Sequence, residues 1–161
     1  MATRARLDSM DSSLPLLRRI DHIGIAVNDL DQAIAFYRET YGLTGWERIS
    51  LPERHMAVAV CAIGDSMLEL ITPTSPEAAF ARYLKERGEG IHHIAYEVDD
   101  VETALRTVEG RGVRLVDAHG RPGIHHTCVA FLHPKTTMRV LTELVELPDV
   151  HQPREASHAQ T

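Results

Sequence analysis

One feature constrains this chain more than any other: it repeats itself, once. Setting His22-Ile23-Gly24-Ile25-Ala26-Val27-Asn28-Asp29-Leu30-Asp31 over His93-Ile94-Ala95-Tyr96-Glu97-Val98-Asp99-Asp100-Val101-Glu102 pairs His with His, Ile with Ile, Val with Val and Asp with Asp at a separation of about 71 residues. Gln32-Ala33-Ile34 then falls on Thr103-Ala104-Leu105. Each copy begins as a β-rich run, passes through acidic helix-capping residues and enters a helical period. Leu30, Ala33, Ile34 and Tyr37 recur at i, i+3, i+4 and i+7 before Gly42, as do Val101, Ala104, Leu105 and Val108 before Gly110 and Gly112.

Three short β-like runs follow each helix. In the first copy they are Gly45 to Ser50, Met56 to Ile63 and Ser66 to Thr72, with Gly64-Asp65 as a hairpin turn; in the second, Val113 to Val116, Thr127 to Leu132 and Val140 to Glu146. Between the copies Pro76 to Arg87 sets Ala79, Phe80, Tyr83 and Leu84 on one helical face. Two copies of this period are too few and too long for a solenoid. The expected class is α+β: two paired βαβββ modules forming a half-open, eight-stranded, barrel-like sheet around a central site. The expected divisions are a mobile tail over 1–17, one domain over 18–148 and a mobile tail over 149–161. Within the domain, module one spans 18–74, a linker helix 75–88 and module two 89–148.

Composition excludes several classes. With 43% hydrophobic and 25% charged residues in 161, the chain is an ordinary globular protein of about one domain. Twenty-three acids against 17 bases, a formal charge of -6, argue against a nucleic-acid partner. No run approaches the roughly 18 apolar residues of a membrane span, and the Pro-interrupted Leu14 to Leu17 is too short for a signal-peptide core. Cys61 and Cys128 have neither disulfide-framework nor zinc-finger spacing, which fits a reducing compartment. The ten histidines, among them His92, His93, His125, His126 and His133 in the second half, direct attention to a metal.

Strand alternation puts His22, Gly24 and Ala26 on one face, where two small residues leave room beside an imidazole, and Ile23, Ile25 and Val27 on the core face. The same alternation sends His92 away from His93, so His92 is expected to serve packing or substrate fit. The last strands also match, Leu68-Glu69-Leu70-Ile71 over Thr142-Glu143-Leu144-Val145. A carboxylate inside an apolar strand is costly unless neutralised. Singly, a strand His is ordinarily hydrogen-bonded structure and a strand Glu faces water. Repeated at equivalent places, two His and two Glu meet in one cleft about a pseudo-two-fold, a donor set suited to a divalent ion with positions left for substrate. His125 and His126, in a Gly-rich loop, read as solvated.

The phrases Asp21-His22-Ile23-Gly24-Ile25-Ala26-Val27, Gly88-Glu89-Gly90-Ile91-His92-His93-Ile94-Ala95, Phe131-Leu132-His133-Pro134-Lys135 and Val140-Leu141-Thr142-Glu143-Leu144 resemble the vicinal oxygen chelate (glyoxalase/bleomycin resistance/dioxygenase) superfamily, and within it the methylmalonyl-CoA epimerases. The resemblance covers Ile20 to Leu147. It implies metal ligands at His22, Glu69, His93 and Glu143, with Glu69 where some epimerases have Gln. It implies one divalent ion, cobalt first, with manganese, nickel or zinc also compatible. It further implies an acyl-CoA substrate, a homodimer and a cytoplasmic location, or the mitochondrial matrix in a eukaryote. Some epimerases carry a third-strand glutamate as base; the matching place here is apolar, near Val58. His125, His126 and Arg139, near the expected mouth, also depart from the family pattern.

The implied reaction removes the C2 proton of a malonyl-type thioester and returns it to the opposite face, with Glu143 and Glu69 as the two bases. A glyoxalase I-type isomerase would use the same ligands on a thiohemiacetal. A ring-cleaving dioxygenase takes two His and one carboxylate around iron, and a drug-sequestering binding protein of this fold lacks the ligands.

Overall fold

The computed structural model describes residues 16–148, so most of both expected tails lies outside the described residues. Local rules account for the first elements. Strand β1 (Ile20–Ala26) leads into helix α1 (Leu30–Tyr41), where the Asp29 side chain accepts the Gln32 N–H at 3.0 Å. Gly42, left-handed at φ 73°, ends the helix. The second copy repeats this. Strand β5 (Gly90–Glu97) precedes α3 (Val101–Gly110), and Asp100 accepts the Thr103 N–H at 2.6 Å.

Strands β2 (Glu47–Leu51), β3 (Met56–Ile63) and β4 (Ser66–Pro73) complete module one; β6 (Arg121–Pro122), β7 (Cys128–Leu132) and β8 (Thr142–Glu146) complete module two. All eight form one curled sheet in the order β2-β3-β4-β1-β5-β8-β7-β6. β1 pairs parallel with β4 and β5 parallel with β8, while β1 and β5 meet antiparallel at the centre. Each helix covers one half of the outer face: α1 packs with Ala59, Leu68 and Leu70, and α3 with Ala130, Leu132 and Leu144. On the inner face Ala26, Val58, Val60 and Ile71 pack with Phe80 and Leu84.

Two expected elements differ. The linker helix α2 is only Ala81–Arg87; before it, Ser75 and Ala78 open successive turns, with the Ala78 N–H donating to Ser75 O and the Ala81 N–H to Ala78 O. Val113 to Val116 is not a strand but touches β7 through a single bridge, Leu115 to Leu132. The Asp117 carboxylate takes the Phe131 N–H at 2.9 Å, a side-chain bond that displaces the ladder, and pairing resumes only at β6.

Candidate metal centre

Register brings the chemistry together at the junction of the modules. Gly24 of β1 lies level with Glu69 of β4 on one side and His93 of β5 on the other. Ala95 of β5 lies level with His22 of β1 and Glu143 of β8. Each histidine is therefore level with the small residue of the opposite module, and the His93 ring lies over Gly24. The space beside Gly24 is not open, as the alternation suggested: a Cβ there would overlap the His93 ring.

Asp21, His22, Glu69, His93 and Glu143 are the buried polar or charged side chains among the described residues, and all five belong to this one cluster. The Nε2 atoms of His22 and His93 are 3.0 Å apart. Glu143 Oε2 lies 3.2 Å from His22 Nε2 and 3.1 Å from His93 Nε2; Glu69 Oε2 lies 3.5 and 3.2 Å from the same atoms. The ligand atoms of His22, Glu69 and His93 all fall within 4.8 Å of one another. Two donors bound at about 2.1 Å and at right angles to one cation stand roughly 3 Å apart, so the spacing fits a small divalent ion.

The electrostatics agree with that donor set. Burial opposes charge on His22, yet its bonds with Asp21 and Glu143 and the charge of Glu69 prevail and raise its pKa to about 10. Burial likewise opposes charge on His93, but Glu143 and Glu69 raise it to about 9. Burial would raise Glu143, and the two imidazoles instead hold it down to about 2. The surrounding carboxylates thus favour the charged form of both imidazoles, a neutralisation that a dication would supply in its place while leaving both imidazoles neutral. Behind His22, Asp21 Oδ2 accepts from Nδ1 at 2.8 Å, and Arg19 reaches the other Asp21 oxygen at 3.3 Å. A carboxylate behind a histidine fixes its ring and tautomer for ligation.

A cavity of about 580 Å³ opens onto the cluster, lined by His22, Glu69, His93 and Glu143 together with Val58, Phe131, Arg54 and Arg121. A smaller cavity, about 160 Å³, reaches His22 and Glu69 from the side of Met67, Thr127 and His125. The apolar position on β3 is Val58, at 1% exposure. Arg139 and His126 do not line the main cavity. His125 is not merely solvated: its Nε2 meets Glu47 Oε2 at 3.0 Å.

His92 lines the main cavity beside His93, with their Nδ1 atoms 3.0 Å apart, contrary to the alternation. The cause is a bulge in β5, where pairing passes from Gly24 with His93 to Ile25 with Ile91 and leaves His92 unmatched. Burial and the neighbouring His93 lower the His92 pKa to about 4. Asp21, Arg54 and Arg121 carried no role in the sequence reading. For Asp21 a signal existed, since the repeat sets it against His92.

Residues 21–131 match the Glyoxalase/Bleomycin resistance protein/Dioxygenase superfamily. The chain is 35% identical over 144 residues to human mitochondrial methylmalonyl-CoA epimerase, covering 89% of this chain and 82% of the relative. It is 34% identical over 135 residues to an ethylmalonyl-CoA/methylmalonyl-CoA epimerase of Cereibacter sphaeroides, covering 82% of this chain and all (100%) of the relative. A solved methylmalonyl-CoA epimerase in complex with methylmalonyl-CoA and ammonium superposes with a TM-score of 0.79 at 39% identity, covering 85% of this chain and 99% of that one.

Proposed function

The chain belongs to the glyoxalase/bleomycin resistance protein/dioxygenase superfamily and, within it, to the methylmalonyl-CoA epimerases, which are isomerases; from that premise we propose that it inverts C2 of methylmalonyl-CoA in a metal-dependent reaction. The observation that supports this reading most is the convergence of His22, Glu69, His93 and Glu143 at the floor of one cavity, where the two imidazole Nε2 atoms lie 3.0 Å from each other and 3.1 to 3.5 Å from both carboxylates. These four would hold one divalent ion, with cobalt, manganese, nickel and zinc all suited to two imidazoles and two carboxylates. When bound, such an ion supplies Lewis acidity to the thioester carbonyl and carboxylate of the substrate, stabilising the charge left by proton loss.

The protein's own residues do the rest. C2 sits between two electron-withdrawing groups, and inversion needs one base on each of its faces. Glu69 on β4 and Glu143 on β8 stand on either side of the central β1–β5 pair, which supports assigning one to each face of C2. With Val58 on β3 there is no third-strand carboxylate, and proton transfer is assigned to this pair, the carboxylates within 3.5 Å of both imidazoles. Glu69 and Glu143 would be weak bases while they hold a cation, so the one that takes the proton has to draw away from it. Val58, Ile71 and Phe131 make the cavity wall apolar, which limits water around the reacting carbon.

The experiment is to strip the protein of metal, titrate it with each of the four cations and follow deuterium entry at C2 of methylmalonyl-CoA and ethylmalonyl-CoA. Activity saturating at one equivalent per chain supports the reading; full activity in protein found metal-free by elemental analysis overturns it. The proposal includes a homodimer, checked by light scattering, and a cytoplasmic or mitochondrial-matrix location. No helix among the described residues is long and apolar enough to cross a membrane.

A further inference from the structure

The repeat pairs Asp21 with His92 as it pairs His22 with His93. The two residues also occupy the same kind of place in the backbone. Pairing of β1 with β5 steps from Ile20–Tyr96 to His22–Ala95, which makes Asp21 the extra residue of a bulge on β1. Two rungs later it steps from Gly24–His93 to Ile25–Ile91, which makes His92 the extra residue of a bulge on β5. A bulge re-aims its side chain out of the alternation. In the first copy it turns a carboxylate to Nδ1 of His22, at 2.8 Å. In the second it turns an imidazole nitrogen to Nδ1 of His93, at 3.0 Å.

The His92 ring is held in that orientation. Tyr83 meets it edge-on at 5.1 Å between centroids, Phe80 lies at 5.5 Å, and the Tyr83 hydroxyl donates to Ile91 O at 2.7 Å. Both aromatic residues come from the segment joining the modules. We propose that His92 is the positioning residue of His93: its unprotonated Nδ1 accepts the Nδ1–H of His93 and so fixes the tautomer that turns His93 Nε2 toward Glu69 and Glu143. It does in the second module what Asp21 does in the first, and the segment between the modules holds it there. The two ligands are then not equivalent. His22 is backed by an anion and His93 by a dipole, so the pseudo-two-fold breaks just behind the ligands.

This inference rests on the reading of the centre as a metal site, and the test separates the two. Co²⁺ affinity of the metal-stripped full-length chain is measured by chelator competition for the parent, His92→Phe and His92→Asp, with far-UV circular dichroism as a check on folding. Phe keeps a ring between Tyr83 and Phe80 but offers no acceptor. Asp places in the second copy the group that reaches its histidine in the first. The expected result is affinity weakened about 10- to 100-fold in His92→Phe and largely restored in His92→Asp. His92→Phe binding as tightly as the parent, or His92→Asp binding no better than His92→Phe, overturns the inference. Long-range ¹H–¹⁵N NMR of the Zn²⁺-loaded parent needs no variant: a proton on His93 Nδ1 and none on His92 Nδ1 is expected, and a proton on His92 Nδ1 overturns it. A parent that binds no Co²⁺ overturns the metal reading itself, whereas a parent that binds beside an unaffected His92→Phe overturns only the role of His92.

Discussion

The imidazole of His93 lies against the backbone of Gly24, in the volume that a β-carbon on that residue would occupy. The opposite module has Ala95 at the equivalent place, level with His22, so at this position the two halves of the centre differ by one methyl group. Gly24→Ala is therefore expected to move His93 off the centre and to weaken Co²⁺ binding about 10-fold or more while costing roughly 1–3 kcal/mol of stability. Calorimetric titration together with urea unfolding checks both. Unchanged affinity would mean that His93 has room the structure does not provide.

Stability of the metal-free protein should depend on pH in a defined sense. Pairing raises His22 and His93 to about 10 and 9 from an ordinary 6.5, so their contribution is complete below 6.5 and is lost as pH rises through 9 to 10. Glu143 is depressed from 4.5 to about 2, so its contribution is complete above 4.5 and is lost as pH falls through 2. The thermal midpoint of metal-stripped protein should fall between pH 6.5 and 10, and less so in Co²⁺-loaded protein, where a cation takes over the neutralisation. A midpoint in stripped protein that rises over this range contradicts the pairing.

How much of this was legible beforehand follows from what each residue answers to. Asp29 and Asp100, the helical periods behind them and the paired His and Glu residues obey local rules or a direct repeat, and Met56 to Ile63 coincides with β3. The bulges at Asp21 and His92 depend on how two strands 71 residues apart are paired, and no local residue marks them, so alternation misdirected His92. Val113 to Val116 has strand composition but meets the Asp117 side chain, which competes for the same backbone partner on β7. Arg54 reaches the cavity from the turn between β2 and β3 and Arg121 from the edge strand β6, which spacing along the chain does not reveal.

Arg121 stacks over Phe131 at 5.3 Å and lines the cavity, where a cation favours an anionic thioester at every stage of the reaction. Arg121→Ala should raise KM for methylmalonyl-CoA about 10-fold and leave kcat within about 3-fold, the signature of uniform binding. The effect should shrink in high salt. Steady-state kinetics at two ionic strengths test this, and a loss confined to kcat would assign Arg121 to the chemical step.

Helix caps supply a control that separates folding from chemistry. Asp29→Ala and Asp100→Ala each remove the acceptor of an orphan N–H at the start of a helix on the outer face, at a cost of about 1 kcal/mol. Urea midpoints should fall in both variants with Co²⁺ affinity unchanged. A loss of affinity to match would mean that the centre responds to any destabilisation and would weaken the reading of the ligand variants.

The central claim is that Glu69 and Glu143 serve opposite faces of C2. Glu69→Gln keeps an oxygen for the metal and removes the base. The decisive measurement is proton NMR of C2 exchange in deuterated water, run on each methylmalonyl-CoA stereoisomer separately, with metal content determined on the same sample. Metal-replete Glu69→Gln should exchange the C2 proton of one stereoisomer without inverting it and leave the other untouched. If the metal-replete variant interconverts both stereoisomers at the parent rate, Glu69 is a ligand only and the two-carboxylate account is wrong.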